Sequence, residues 1–214
     1  MSDFCEYQWS TRRDLNIIKN NQQSNTENMK KYDKKFNFNY NEVTERTLAL
    51  NKLKELIGAS IDLALKDKSL CNDDDFLLRF LYARKFSIDE AFKLIINYNL
   101  YRQRNKILLK NLTSLDENIQ MSLRDGFPGV LTERDRRGRK VLVFFTANWD
   151  YRLYSLVTIY RALLLSLEKL LEDKQNQANG FVAIVDWTNF TLRQSTHLNP
   201  KILKLMIEGL QVCC

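Results

Sequence analysis

The chain has 214 residues, 44% of them hydrophobic, and a formal net charge of +7. These values bound it to one domain with extensions and point to anionic partners, either nucleic acid or acidic lipid. No apolar run approaches the roughly 20 residues needed to span a bilayer. Met1 is followed by Asp3, Glu6, Arg12 and Arg13 rather than by a secretory apolar core, so a cytosolic chain or a peripheral membrane protein is expected.

Residues 1–44 read as a disordered arm. Asparagines from Asn16 to Asn41 alternate with Lys30, Lys31, Lys34 and Lys35, and such a stretch buries too little apolar surface to offset its ordering entropy. From Glu45 the pattern turns helical: Leu50, Leu53, Ile57, Ile61 and Ala64 form one apolar stripe. Asp73 to Asp75 place negative charge at the start of the next helix, which favours the positive end of its dipole. Phe76, Leu77, Phe80 and Leu81 give that helix its buried face. Ser87 with Glu90 has the spacing of a capping box for a third helix, whose stripe is Ala91, Leu94, Ile95 and Tyr98. Lys85 and Phe86 form the corner between the two. Residues 45–112 are thus expected to make an all-helical lobe.

Residues 113–214 read differently. Gly129 to Thr132 is a short extended run, and Asp135-Arg-Arg-Gly138 has turn chemistry. Val141 to Phe145 and Phe181 to Val185 are solid apolar strands, expected to be buried on both faces. Between them, residues 153–171 form a helix with Leu156, Tyr160, Leu163, Leu167 and Leu170 on one stripe. Asn199 and Pro200 are an N-cap and first-turn proline for a last helix, with Leu203, Met206, Ile207 and Leu210 as its apolar face. Strand, long helix, strand, helix is α/β order, with the long helix crossing between parallel strands.

The pattern offers little for catalysis. There is one histidine, His197, read as a loop residue, and no nucleophile elbow or glycine-rich phosphate loop. Cysteines at positions 5, 71, 213 and 214 fit neither a disulfide framework nor a zinc motif, so no metal and no cofactor is expected. Asp186 reads as a hydrogen-bonded structural carboxylate. The basic run Arg134, Arg136, Arg137, Arg139 and Lys140 surrounds a turn without interleaved aromatics, a solvated face rather than a nucleic-acid platform.

Phe76-Leu-Leu-Arg-Phe-Leu-Tyr-Ala-Arg-Lys-Phe86 resembles the N-terminal helical region of CRAL-TRIO lipid-binding proteins. Gly126-Phe-Pro-Gly-Val-Leu-Thr-Glu-Arg-Asp135 and Asn179-Gly-Phe-Val-Ala-Ile-Val-Asp-Trp187 resemble later blocks of the same family. The resemblance implies a helical lobe followed by an α/β domain, with a mostly parallel sheet flooring a lipid cavity. It implies a non-enzymatic function: binding and exchange of a hydrophobic lipid ligand at endosomal or trans-Golgi membranes. Its cavity-facing positions fall on Tyr160, Leu163, Leu167, Phe181, Val185, Leu198, Met206 and Leu210. Its phosphoinositide-contacting position falls on Arg84, with Arg79 and Lys85 as weaker neighbours. Clathrin-coat components are implied as further partners. The family's pattern continues past Gly209-Leu-Gln211 with an Asp-x-Phe-Pro segment where this sequence has Val212-Cys-Cys. The expectation is therefore an incomplete, C-terminally truncated lipid-binding domain. The alternative is an interaction module that holds no lipid.

Overall fold

The computed structural model of the chain describes residues 40–65 and 69–213. The Asn/Lys-rich segment up to residue 39, Cys5 and Cys214 lie outside the described residues. Residues 49–214 form one compact unit, separate from the unit ending at Leu48.

Helix α1 spans Tyr40–Ala59, beginning before the expected Glu45. Leu50, Leu53 and Ile57 are buried as the stripe predicts, but Ile61 is 98% exposed. The helix ends before it, and the backbone re-enters the core through a short 3₁₀ turn, Leu63–Leu65, that buries Ala64 and Leu65. Asp62 sets this turn by accepting the Ala64 N–H at 2.8 Å, a local capping that ends the helical period.

Helix α2 covers Asp74–Ala83. Asp73 is its N-cap and accepts the Phe76 N–H at 2.8 Å. Asp74 pairs with Lys54 and Asp75 with Lys174 at 3.1 Å. The helix closes in a Schellman arrangement: the Phe86 N–H donates to Leu81 O at 2.8 Å and the Lys85 N–H to Tyr82 O at 3.1 Å. Lys85 and Phe86 take φ of 50° and 64°, which makes the corner. Helix α3, Ile88–Arg104, starts at Ser87, but the expected capping box is absent. The Glu90 carboxylate turns instead to Lys93, one helical turn along, at 2.9 Å. Phe76, Phe80 and Tyr98 pack edge to face with centroids 5.1–5.8 Å apart. With Leu53, Leu77, Leu81 and Ile95 they form the core of the helical lobe.

A short helix α4, Lys106–Leu109, and α5, Glu117–Arg124, lead to the sheet. Strand β1, Gly129–Arg134, pairs antiparallel with β2, Lys140–Phe145. The turn between them is the expected one: Gly138 has φ 77°, and Asp135 Oδ1 accepts the N–H groups of Arg137 and Arg139. Helix α6, Leu156–Leu170, then crosses to β3, Phe181–Asp186, which runs parallel to β2. Helix α7, Lys174–Asn179, fills the return. The α/β class is as expected, with one antiparallel and one parallel pairing in a sheet ordered β1-β2-β3.

The two apolar strands differ. Val141 to Phe144 are buried, whereas Ala183, Ile184 and Val185 of β3 are exposed, Ile184 at 48% and Val185 at 45%. The expectation of a second strand buried on both faces is corrected. Among the described residues β3 pairs on one side only, so its apolar content is not a measure of its cover.

After a short helix α8, Leu192–Ser195, comes α9, Pro200–Cys213. Asn199 caps α9 by accepting the Lys201 N–H at 2.9 Å. Leu203, Met206 and Leu210 pack inward with Ile202 and Leu205, but Ile207 is 57% exposed and does not share the predicted face. Gly209 is the point of closest approach. A Cβ there would collide with the Tyr160 hydroxyl and lie 2.9 Å from that of Tyr101.

Candidate functional site

The apolar site is built on α6. Ser155 caps it by accepting the Thr158 N–H at 3.4 Å, and the stripe that follows buries Tyr160, Leu163 and Leu167 to 3% exposure or less. These three join Phe181, Leu198, Met206 and Leu210 in a single hydrophobic cluster with Leu142, Phe144 and Trp149. Seven of the eight residues implied by the resemblance are thus brought together. Val185, the eighth, shares its sheet face with Phe181 and lies opposite Phe144 in the register, yet it is half exposed. The cluster therefore reaches the surface along β3, where Ala183 and Val185 continue it in the open.

Two tyrosines fasten the cluster's centre. The hydroxyls of Tyr101, on α3, and Tyr160 hydrogen-bond to each other, and Tyr101 Oη also donates to Leu205 O at 3.2 Å. A polar bracket closes the β2–α6 connection. Gln194 Nε2 donates to the carbonyls of Thr146 and Trp149 at 3.1 and 3.0 Å, and Trp149 Nε1 donates to Tyr154 O at 3.0 Å. The Tyr154 hydroxyl donates to Asp125 at 2.8 Å; burial and that carboxylate push its pKa up, so it remains a neutral donor. His197 lies in the turn expected for it and stacks on Tyr151 with centroids 4.0 Å apart.

The cations divide into tied and free. Arg79 is turned inward: its guanidinium lies 3.9 Å from the Phe76 ring centroid and 3.6 Å from Glu168. Arg102 reaches the same carboxylate at 3.0 Å, and the Tyr98 hydroxyl does so at 3.3 Å. Glu168 on α6 thereby holds two arginines of the helical lobe. No local pattern announces it, because its partners lie 66 or more residues away. Arg134 is tied to Asp173 and Asn176, and Arg139 to Asp135, which leaves the basic β1–β2 turn as a solvated face at Arg136 and Arg137.

Arg84 differs from these. It is the C-cap of α2, and its guanidinium donates only to the adjacent Ala83 carbonyl at 3.1 Å. Among the described residues no carboxylate lies within ion-pair distance of Arg84 or of exposed Lys85. The Glu90 carboxyl is held below its ordinary pKa first by its hydrogen bond from Lys93 and, more weakly, by the Arg84 charge.

Asp186 accepts the Thr188 N–H at 2.8 Å, and its pKa is lowered first by the Thr188 side chain and then by that N–H, as fits a structural turn. Asp150 is held down to about 2 by hydrogen bonds from Arg152. Its folded-state pKa is depressed, so its contribution is present above the ordinary carboxylate value of about 3.9 and is lost as pH falls towards 2. Arg152→Ala is expected to return Asp150 towards that ordinary value; an NMR titration unchanged by the substitution would contradict the pairing. Among the described residues no three His, Cys, Asp or Glu side chains cluster as a metal site, and no helix is long and apolar enough to cross a membrane.

Comparison with known proteins bears on this arrangement. A family model described as "CRAL/TRIO, N-terminal domain" matches residues 49–97, and one described as "CRAL/TRIO domain" matches residues 124–214. The chain is similar to Clavesin-1 of Xenopus laevis, 55% identical over 142 residues, which is 66% of this chain and 43% of that protein. It is also similar to Clavesin-2 of Homo sapiens, 54% identical over 142 residues with the same two shares. Clavesin-1 of Rattus norvegicus is 54% identical over 142 residues, 66% of this chain and 40% of its own. The chain thus matches less than half the length of these curated relatives.

Proposed function

We propose, because the chain belongs to the CRAL/TRIO family, that it binds a hydrophobic lipid ligand and exchanges it at membranes whose phosphoinositide headgroups meet Arg84. The role is non-catalytic. The place is the cytoplasmic face of endosomal or trans-Golgi membranes, with clathrin-coat components as further partners. One observation carries the lipid part. The cluster that gathers Tyr160, Leu163, Leu167 and Phe181 is continued on the Phe181 face of β3 by exposed Ala183 and Val185. An acyl or polyprenyl chain laid there removes apolar surface from water at about 0.8 kcal/mol per buried CH₂. The headgroup part is supported by the contrast between Arg84 and the carboxylate-bound Arg79, Arg102, Arg134 and Arg139.

Native mass spectrometry after incubation with mixed lipid vesicles tests the lipid reading. A retained lipid mass is expected, and Val185→Asp, at a half-exposed position, is expected to abolish it without unfolding the chain. A second reading, an interaction module that holds no lipid, is favoured by the dense packing of Tyr160, Leu163 and Leu167. It predicts that no lipid is retained at any lipid-to-protein ratio.

A further inference from the structure

We propose that the turn from Arg104 to Lys110, at the end of α3 and through α4, is a second contact element for an anionic membrane surface, with Ile107 inserting between headgroups. It rests on the membrane part of the reading above but uses neither Arg84 nor the apolar cluster.

The segment is biased in charge. No Asp or Glu occurs between Glu90 and Asp116, while Arg104, Lys106 and Lys110 fall within seven residues. All three are exposed. Among the described residues none of them is within ion-pair distance of a carboxylate; the nearby Arg102 is, on Glu168. The backbone that carries them is fixed. Leu108, Leu109 and Leu112 pack into the hydrophobic cluster, and Arg161 Nη2 donates to the carbonyls of Lys110 and Asn111 at 3.1 and 3.0 Å. Asn105 closes the end of α3 through its backbone N–H and its side-chain amide, both to Tyr101 O. Ile107 alone of the Ile-Leu-Leu run points away from this anchorage and is 90% exposed. Lys106, Ile107, Leu109 and Lys110 line, with Arg102, a surface concavity of about 380 Å³.

An anchored turn that offers one large exposed apolar side chain among three exposed cations matches the boundary of an acidic bilayer, where the apolar side chain enters the acyl region and the charged groups stay among headgroups. A folded acidic protein would meet the cations as well, but it would leave Ile107 needing an apolar socket. The charge pattern and the wedge together favour lipid. Each lysine near such a surface strengthens binding about fivefold, and salt weakens it.

The test is flotation of the full chain on phosphatidylcholine vesicles with or without phosphatidylserine, both lacking phosphoinositide, at low and high salt. Binding is expected only with phosphatidylserine and to fall at high salt. Ile107→Asp and the pair Lys106→Glu, Lys110→Glu are each expected to weaken it by about tenfold or more, with unchanged thermal midpoints since the positions are exposed. Equal binding by Ile107→Asp and the unsubstituted chain, or no binding to phosphatidylserine vesicles, overturns the proposal. Loss of phosphoinositide preference is read separately, with Arg84→Ala, so the two readings fail independently.

Discussion

Gly209→Ala is expected to lower the thermal midpoint by roughly 6–12 °C, corresponding to about 3 kcal/mol for a chain of this size. Helix propensity alone predicts the opposite sign, since alanine in a helix interior is favoured over glycine by about 1 kcal/mol. The contact decides. The added Cβ would overlap the Tyr160 hydroxyl and sit 3.0 Å from Tyr160 Cζ. Tyr160 is fully buried and Tyr101 nearly so, and they are bonded to each other, so neither ring has room to withdraw. The cost is therefore displacement of α9 from α3 and α6, which also loosens Met206 and Leu210 in the apolar cluster. Adding Tyr160→Phe removes the worst overlap and is expected to recover part of the loss, while Tyr101 keeps its bond to Leu205 O. A midpoint that rises in the single variant would mean that α9 does not dock as described.

The second large effect is expected at Glu168. Its carboxylate serves Arg79, Arg102 and Tyr98 together. Arg79 is only 14% exposed and its Nε has no partner, so loss of Glu168 leaves a largely desolvated cation with an aromatic ring as its main neighbour. A fully buried broken pair costs about 3–5 kcal/mol. Glu168 is itself 38% exposed, and water screens what remains. Glu168→Ala is accordingly expected to cost about 2 kcal/mol, or roughly 4–8 °C. Glu168→Gln is expected to cost less, because the amide oxygen still accepts from Arg102. The order Ala worse than Gln, read by calorimetry, checks the account; equal midpoints for all three chains would show that the node is merely a surface pair.

Features resting on neighbours in sequence were legible in the residues. Asp73 caps α2, Asn199 with Pro200 starts α9, and Gly138 makes the β1–β2 turn, because each depends on atoms within a few positions. The family blocks were legible for the same reason, as long contiguous strings. Pairings across the chain were not. Nothing near Glu168 announces Arg79 or Arg102, and Gly209 reads only as a weak point in a helix until Tyr160 is placed beside it. The capping box is absent at Ser87 because the Ser87 N–H donates to Arg84 O at 2.9 Å and the Glu90 carboxylate is engaged by Lys93. A solid apolar run such as Phe181 to Val185 states that a strand tolerates burial, not which faces receive cover; hence β3 was expected to be buried and is open. Nothing in the local pattern distinguishes Arg84 from its neighbours; only the resemblance to a family does. The fold adds that, among the described residues, no carboxylate stands within ion-pair distance of Arg84, whereas Arg79 is held by Glu168.

The central claim is that this CRAL/TRIO chain meets a phosphoinositide through Arg84. Flotation of the unsubstituted chain and of Arg84→Ala on phosphatidylcholine vesicles, with and without a phosphatidylinositol bisphosphate, tests it most directly. The account predicts phosphoinositide-dependent flotation that Arg84→Ala weakens by roughly ten- to a hundredfold, as expected for loss of a charge-assisted contact worth about 1.5–3 kcal/mol. Flotation independent of the phosphoinositide, or identical for the two chains, would contradict it.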